Sequence, residues 1–128
     1  MQNSQKITEA IGQIVRQLTI YGSCESAMEA QLVITVAIEP ICTTRYLRET
    51  LGVSQATISR ITRTVGDGYG RHRRKRRWVG RDLVCGYKDP KDTRCYRYKL
   101  TEKGENLLAS FHNSLAEAFG VDDISAPT

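Results

Sequence analysis

Asp89-Pro90-Lys91-Asp92-Thr93-Arg94 and, six residues on, Leu100-Thr101-Glu102-Lys103-Gly104 are the strings that decide how this chain folds. Proline presets the backbone for a tight turn, and aspartate side chains bond their own backbone, so the first string is a polar turn. Residues 83–87 and 94–100 flank it, and their apolar and aromatic content predicts two strands around a turn at 88–93. Thr101 is a good helix cap, so a helix starts as soon as the second strand ends. Leu107, Leu108, Phe111, Leu115 and Phe119 give that helix an apolar stripe, and Gly120 ends it.

Residues 43–65 read as two short helices around a turn. Thr43 or Thr44 caps the first, which carries Tyr46, Leu47 and Leu51, and Gly52 closes it. Ser54 caps the second, whose Ile58, Ile61 and Val65 face inward. Two helices around a turn, followed by a β-hairpin, make a winged helix-turn-helix. The expected class is mainly α with a small hairpin (α+β). Such a unit lays its second helix in the DNA major groove, where each base pair presents its own donor and acceptor pattern. The candidate contacts on that helix are Ser54, Gln55, Thr57, Ser59, Arg60 and Arg63, with Thr43 and Thr44 at the start of the motif. In the hairpin turn they are Lys88, Lys91 and Arg94, with Asp92 placed to orient the Arg94 guanidinium.

Upstream, Ile7, Ile11, Ile14, Val15 and Leu18 predict a helix over 4–20, broken by Gly22-Ser23. Ser26-Ala27-Met28-Glu29 has the form of a capping box. The helix after it is apolar nearly all round, which predicts the buried centre, and Pro40 ends it. Residues 1–120 form one expected domain: terminal helices at 1–22 and 101–120, the helix-turn-helix at 43–65, and the wing at 83–100. Residues 121–128 are an expected loose tail.

The chain carries a net charge of +5, very unevenly spread. Residues 60–103 hold 15 Lys and Arg against 5 Asp and Glu, while the remainder is net acidic. A cationic face on an acidic body points to a polyanion. Arg71, Arg73, Arg74, Lys75, Arg76 and Arg77 concentrate that charge in the 66–82 segment, as an arm for phosphates or a minor groove.

Cys24, Cys42, Cys85 and Cys95 lack metal-ligand spacing, and His72 and His112 do not complete a site, so no metal or cofactor is expected. Cys85 and Cys95 could face each other across the hairpin and form a strained disulfide, which leaves a thiol-based redox sensor as one alternative. No catalytic constellation is visible, so no enzyme is expected. No apolar run is long enough for a membrane helix and no signal peptide is visible, so a cytoplasmic protein is expected.

Residues 42–65 and 83–104 together resemble the MarR family of winged-helix transcriptional regulators, in which a DP-x-D-x-R turn precedes LTEKG. The resemblance implies a sequence-preferring regulator of duplex DNA, most often a repressor. It also implies a homodimer joined through its terminal helices, by Ile7, Ile11, Ile14, Leu18, Leu108, Phe111, Leu115 and Phe119. Members often enclose a pocket for a small-molecule effector, and no residue here identifies one. The chain departs from the family twice. Gly86 stands where a basic residue is usual, and the recognition helix and wing are separated by an excess of about 13 residues where short connections are the rule. That excess leaves an accessory nucleic-acid binder of a virus or mobile element as a further alternative.

Overall fold

A computed structural model describes residues 2–66 and 81–120. The basic run 71–77 and the 121–128 tail lie outside the described residues. The elements run α1 (Gln2–Arg16), α2 (Ala27–Ile38), β1 (Cys42–Thr43), α3 (Thr44–Leu51), α4 (Gln55–Val65), β2 (Val84–Asp89), β3 (Asp92–Leu100) and α5 (Glu102–Phe119). A single π-helical turn, Gln17–Tyr21, extends α1.

The helix starts follow the capping chemistry read from the sequence. The hydroxyls of Thr43, Ser54 and Thr101 accept the backbone N–H of Tyr46, Thr57 and Gly104. Ser26 caps α2 in the same way, and the Glu29 carboxylate reaches back to the N–H of Glu25 rather than of Ser26. Gly52 closes α3 in the left-handed conformation at φ 69. Glu39, the residue before Pro40, has left the helical region, as steric conflict with a proline ring requires.

Around these ends the apolar stripes pack into one core. Leu32, Leu47, Ile58, Leu83 and Leu107 are fully buried, each contributing about 1.5–3 kcal/mol by leaving water. Leu32, Val33 and Val36 make α2 the expected centre, but its last residue, Ile38, is 70% exposed. On the outer side α1 packs along α5, and Gln17 bonds Ser110 and Ser114 across that seam.

Two features differ from the sequence expectation. First, Cys42–Thr43 form a strand, making a three-stranded antiparallel sheet in the order β1-β3-β2. Two residues are too few to show alternation, so no local pattern announced it. Second, the hairpin turn is Pro90-Lys91 alone, not 88–93. The register jumps from Asp89↔Asp92 to Lys88↔Tyr96, so Thr93, Arg94 and Cys95 bulge out of the ladder. Lys88 and Arg94 therefore belong to strands, and the bulge displays Arg94.

The LTEKG string is a clamp. The N–H of Thr101 donates to the Leu83 carbonyl at 3.0 Å, and its hydroxyl donates to the Asp82 carbonyl at 2.6 Å. Lys103 donates to the Arg81 carbonyl at 3.1 Å. Gly104 is buried with its Cα against the Leu83 carbonyl, where a methyl group would collide with the oxygen. The string thus joins the start of α5 to the chain entering the hairpin.

Candidate nucleic-acid interface

Burial sets the rotation of α4. Ile58, Ile61 and Val65 are all buried in the core. The opposite face, at helical spacing, exposes Gln55, Ser59, Arg60 and Arg63. Gln can bond adenine bidentately and Arg can bond guanine, each pair discriminating by about 1–3 kcal/mol. The other candidate hydroxyls have internal partners. Ser54 caps α4 and its hydroxyl donates to Thr57 Oγ1 at 3.1 Å, leaving Thr57 half-buried. Thr43 caps α3, and Thr44 donates to the phenol oxygen of Tyr98 at 3.3 Å. Thr43, Thr44 and Thr57 are half-buried and shape the motif; Ser54 is a cap that stays exposed beside the outward Gln55, Ser59, Arg60 and Arg63.

In the hairpin the two aspartates organise the turn. One oxygen of Asp89 accepts the Lys91 N–H at 2.8 Å, and the other accepts Nε of Arg97 at 2.8 Å. Arg97 also donates to the Ile41 carbonyl at 2.9 Å, fastening the hairpin to the segment between α2 and β1. Asp92 accepts both the backbone N–H and Nε of Arg94, as expected, at 3.1 and 3.3 Å. The Arg94–Asp92 pair is largely exposed, so it steers the guanidinium without adding much stability. Lys88, Lys91 and Arg94 are all exposed around the turn.

Neither Arg97 nor Tyr98 stood among the sequence candidates. Alternation along β3 puts Tyr98 on the inner face, but which side chains meet Arg97 depends on strand register. Hydrogen bonding by Arg97 holds the Asp89 carboxyl below the usual carboxylate range. A depressed carboxyl contributes stability above its unfolded value and loses it as pH falls through the folded one. The hairpin is therefore expected to keep its order at neutral pH and loosen on acidification below the carboxylate range, read as amide hydrogen exchange along β2 and β3. Asp89→Asn should abolish that acid step; the same step in the variant would show that another group governs it.

Gly86, where the family resemblance implies a basic residue, has a local reason. A Cβ there would stand 2.8 Å from the Tyr98 ring. Gly86→Arg is expected to destabilise the fold by about 1–3 kcal/mol, as overpacking does, rather than restore a backbone contact. Denaturant melting checks this; an unchanged midpoint would show that the ring can move aside.

Two further expectations are corrected. Of the stripes assigned to a dimer, Leu18 and Phe111 lie in the chain's own core at 6% exposure, because α1 packs on α5 within one molecule. Ile7, Ile14, Leu108 and Leu115 are half-buried. Only Ile11 and Phe119 of the set are exposed, beside Val15 and Ile20. The second correction concerns the thiols. Cys85 stands opposite Lys99, four residues along β3 from Cys95, or about 13 Å of strand. A disulfide needs Cα atoms within about 7 Å, so this pair cannot form without taking the hairpin apart. Burial pushes the Cys24 thiol up to about 11 and raises Cys42 as well, which keeps both protonated and unreactive. Among the described residues no group of His, Cys, Asp and Glu could hold a metal ion, and no helix is long and apolar enough to cross a membrane.

No protein-family model and no curated protein matches the chain. Solved structures share its fold. The MepR–DNA complex of S. aureus aligns at TM-score 0.63 and 17% identity, over 88% of this chain and 82% of that one. A MarR transcriptional regulator from Methanosarcina mazei Go1 aligns at 0.55 and 22%, over 93% and 84%. The PcaV transcriptional regulator from Streptomyces coelicolor, in complex with its natural ligand, aligns at 0.53 and 19%, over 74% of this chain. The chain spans 58% of the length of PcaV. At these identities the likeness is one of architecture: the chain has the winged helix-turn-helix fold of MarR-like regulators.

Proposed function

We propose that this chain is a sequence-preferring, double-stranded-DNA-binding transcriptional regulator that acts as a homodimer, most simply as a repressor that blocks polymerase. The observation that carries the reading is α4. Its inner face is locked by Ile58, Ile61 and Val65, so Gln55, Ser59, Arg60 and Arg63 are held outward beside a cationic hairpin. A rigid helix with that face can insert into a major groove while Lys88, Lys91 and Arg94 meet the flanking backbone or minor groove. The solved MepR–DNA complex, with the same architecture, supports this use of the fold. Exposed Ile11, Val15 and Phe119 on the outer helices offer an apolar surface to a second copy, which would read a two-fold-related site. An open groove of about 440 Å³, lined by Val15, Leu18, Cys24 and Ala30 among others, is where a small-molecule effector would find apolar contact.

Selection of binding sites from random duplexes at two salt concentrations tests the reading. An enriched inverted repeat is expected, with Arg60→Ala relaxing preference at one position of each half-site. Tight binding without any enriched sequence would overturn it. That outcome would favour an accessory nucleic-acid binder, which the six basic residues within 71–77 would suit.

A further inference from the structure

The inner face of the hairpin runs from the core to open solvent. Val84 and Leu100 pair at its closed end and pack in the core. Gly86 and Tyr98 come next, with Tyr98 still buried. Lys88 and Tyr96 form the last pair before the register jumps, and there the face opens: Lys88 is exposed and Tyr96 is 38% exposed. Bulges such as the one that follows often stand beside functional sites, where they re-aim a side chain. The Tyr96 ring leans on that of Tyr98, at 6.4 Å between centroids, which supports it without covering it.

This open end lies between the two groups of candidate contacts. Thr44, the first residue of α3, donates to the Tyr98 hydroxyl at 3.3 Å, so the face is turned toward the helix-turn-helix. Thr43 pairs with Arg97, so the chain turns into α3 level with Tyr96. On the other side lie the turn Pro90-Lys91 and the bulge that displays Arg94. When α4 occupies a major groove and the turn meets the adjacent minor groove, one phosphodiester strand separates the two, and the surface between α4 and the turn faces it. We propose that Tyr96 binds that strand, donating its hydroxyl to a phosphate oxygen while Lys88 supplies the charge beside it. Residues directly opposite on a ladder stand about 4.5–5.5 Å apart at Cβ, so the phenol and the ammonium reach one phosphate. The assignment rests on the DNA-binding reading and adds to it a contact that carries affinity without base preference.

Tyr96→Phe keeps the ring and removes the hydroxyl. Its affinity for duplex DNA should fall about fivefold on every sequence alike, the size of one hydrogen bond, with the melting temperature unchanged. The slope of log affinity against log salt should stay the same, since a phenol releases no counterion, whereas Lys88→Ala should make it shallower by about 0.9. Methylphosphonates placed one at a time through a selected site locate the contact. At one phosphate of each half-site the unsubstituted protein and Tyr96→Phe should bind equally, and elsewhere the fivefold gap should remain. Equal affinity of the two proteins on unmodified DNA overturns the proposal and leaves the DNA-binding reading standing. A gap that persists at every phosphate, or that comes with a lower melting temperature, also overturns it, because the hydroxyl then acts through the fold. Failure of the unsubstituted protein to bind any duplex overturns both.

Discussion

Gly104→Ala should destabilise the protein by about 3 kcal/mol, at the upper end of what forced overpacking costs. The sign runs against local preference, since alanine is favoured over glycine inside a helix by about 1 kcal/mol. What reverses it is the Leu83 carbonyl, which lies where the new methyl group must go. Neither partner can yield cheaply. The Leu83 carbonyl is held by the Thr101 N–H at 3.0 Å, and Gly104 is held by the Thr101 hydroxyl at 3.0 Å. The melting temperature should fall by roughly 10 °C for a chain of this size. Gly12→Ala is the control: nothing lies within 4 Å of its Cβ position, so it should stabilise α1 by about 0.5–1 kcal/mol. Equal and favourable shifts for both variants would refute the clamp. A loss at Gly12 alone would point to a second copy packed on α1.

Excision of residues 67–80, with about four glycines and serines in their place, is expected to leave the melting temperature unchanged and to weaken DNA binding severely. The fold should survive because the chain on either side is held independently. The N–H groups of Arg81, Asp82 and Leu83 donate to the carbonyls of Thr64, Gly66 and Val65 at 2.9, 2.6 and 2.8 Å. Arg81 adds a bond to the Ser23 carbonyl at 2.7 Å and an ion pair with Glu25 at 3.2 Å. The binding should fall because the excised segment carries six basic residues. If about five of them neutralise phosphates, the slope of log affinity against log salt becomes shallower by 4 to 5 on excision. Between about 50 and 200 mM salt the intact protein would then lose roughly 500-fold more affinity than the excised one. Fluorescence anisotropy across a salt series measures this. Parallel slopes would show that the basic run does not touch DNA, and an unchanged sequence preference would show that it only adds affinity.

What could be read directly from the chain is the chemistry of its ends and turns. Thr43, Ser54 and Thr101 cap helices, Gly52 closes one and Pro40 stops another, because each acts on backbone groups within four residues of itself. The inward residues of α4 follow from helical spacing in the same way, and with them the outward face that makes the candidate interface. The uneven charge is equally legible, since it needs only counting along the chain.

The tertiary structure decided which partners those local pieces find. Leu18 and Ile11 belong to one stripe on one helix, yet Leu18 is in the core and Ile11 is 55% exposed, because only the placement of α5 divides the stripe. Cys85 and Cys95 look like a pair along the chain, and the register sets Lys99 opposite Cys85 instead. Arg97 reaches Asp89 and the Ile41 carbonyl, and Tyr98 reaches Thr44, across up to 56 residues of sequence. Local signals act over a single turn of backbone, and periodicity shows that a residue faces inward without showing what it meets. The clamp at Gly104 and the bond between Tyr98 and Thr44 therefore emerge only when strand register and helix packing bring distant residues within hydrogen-bond reach.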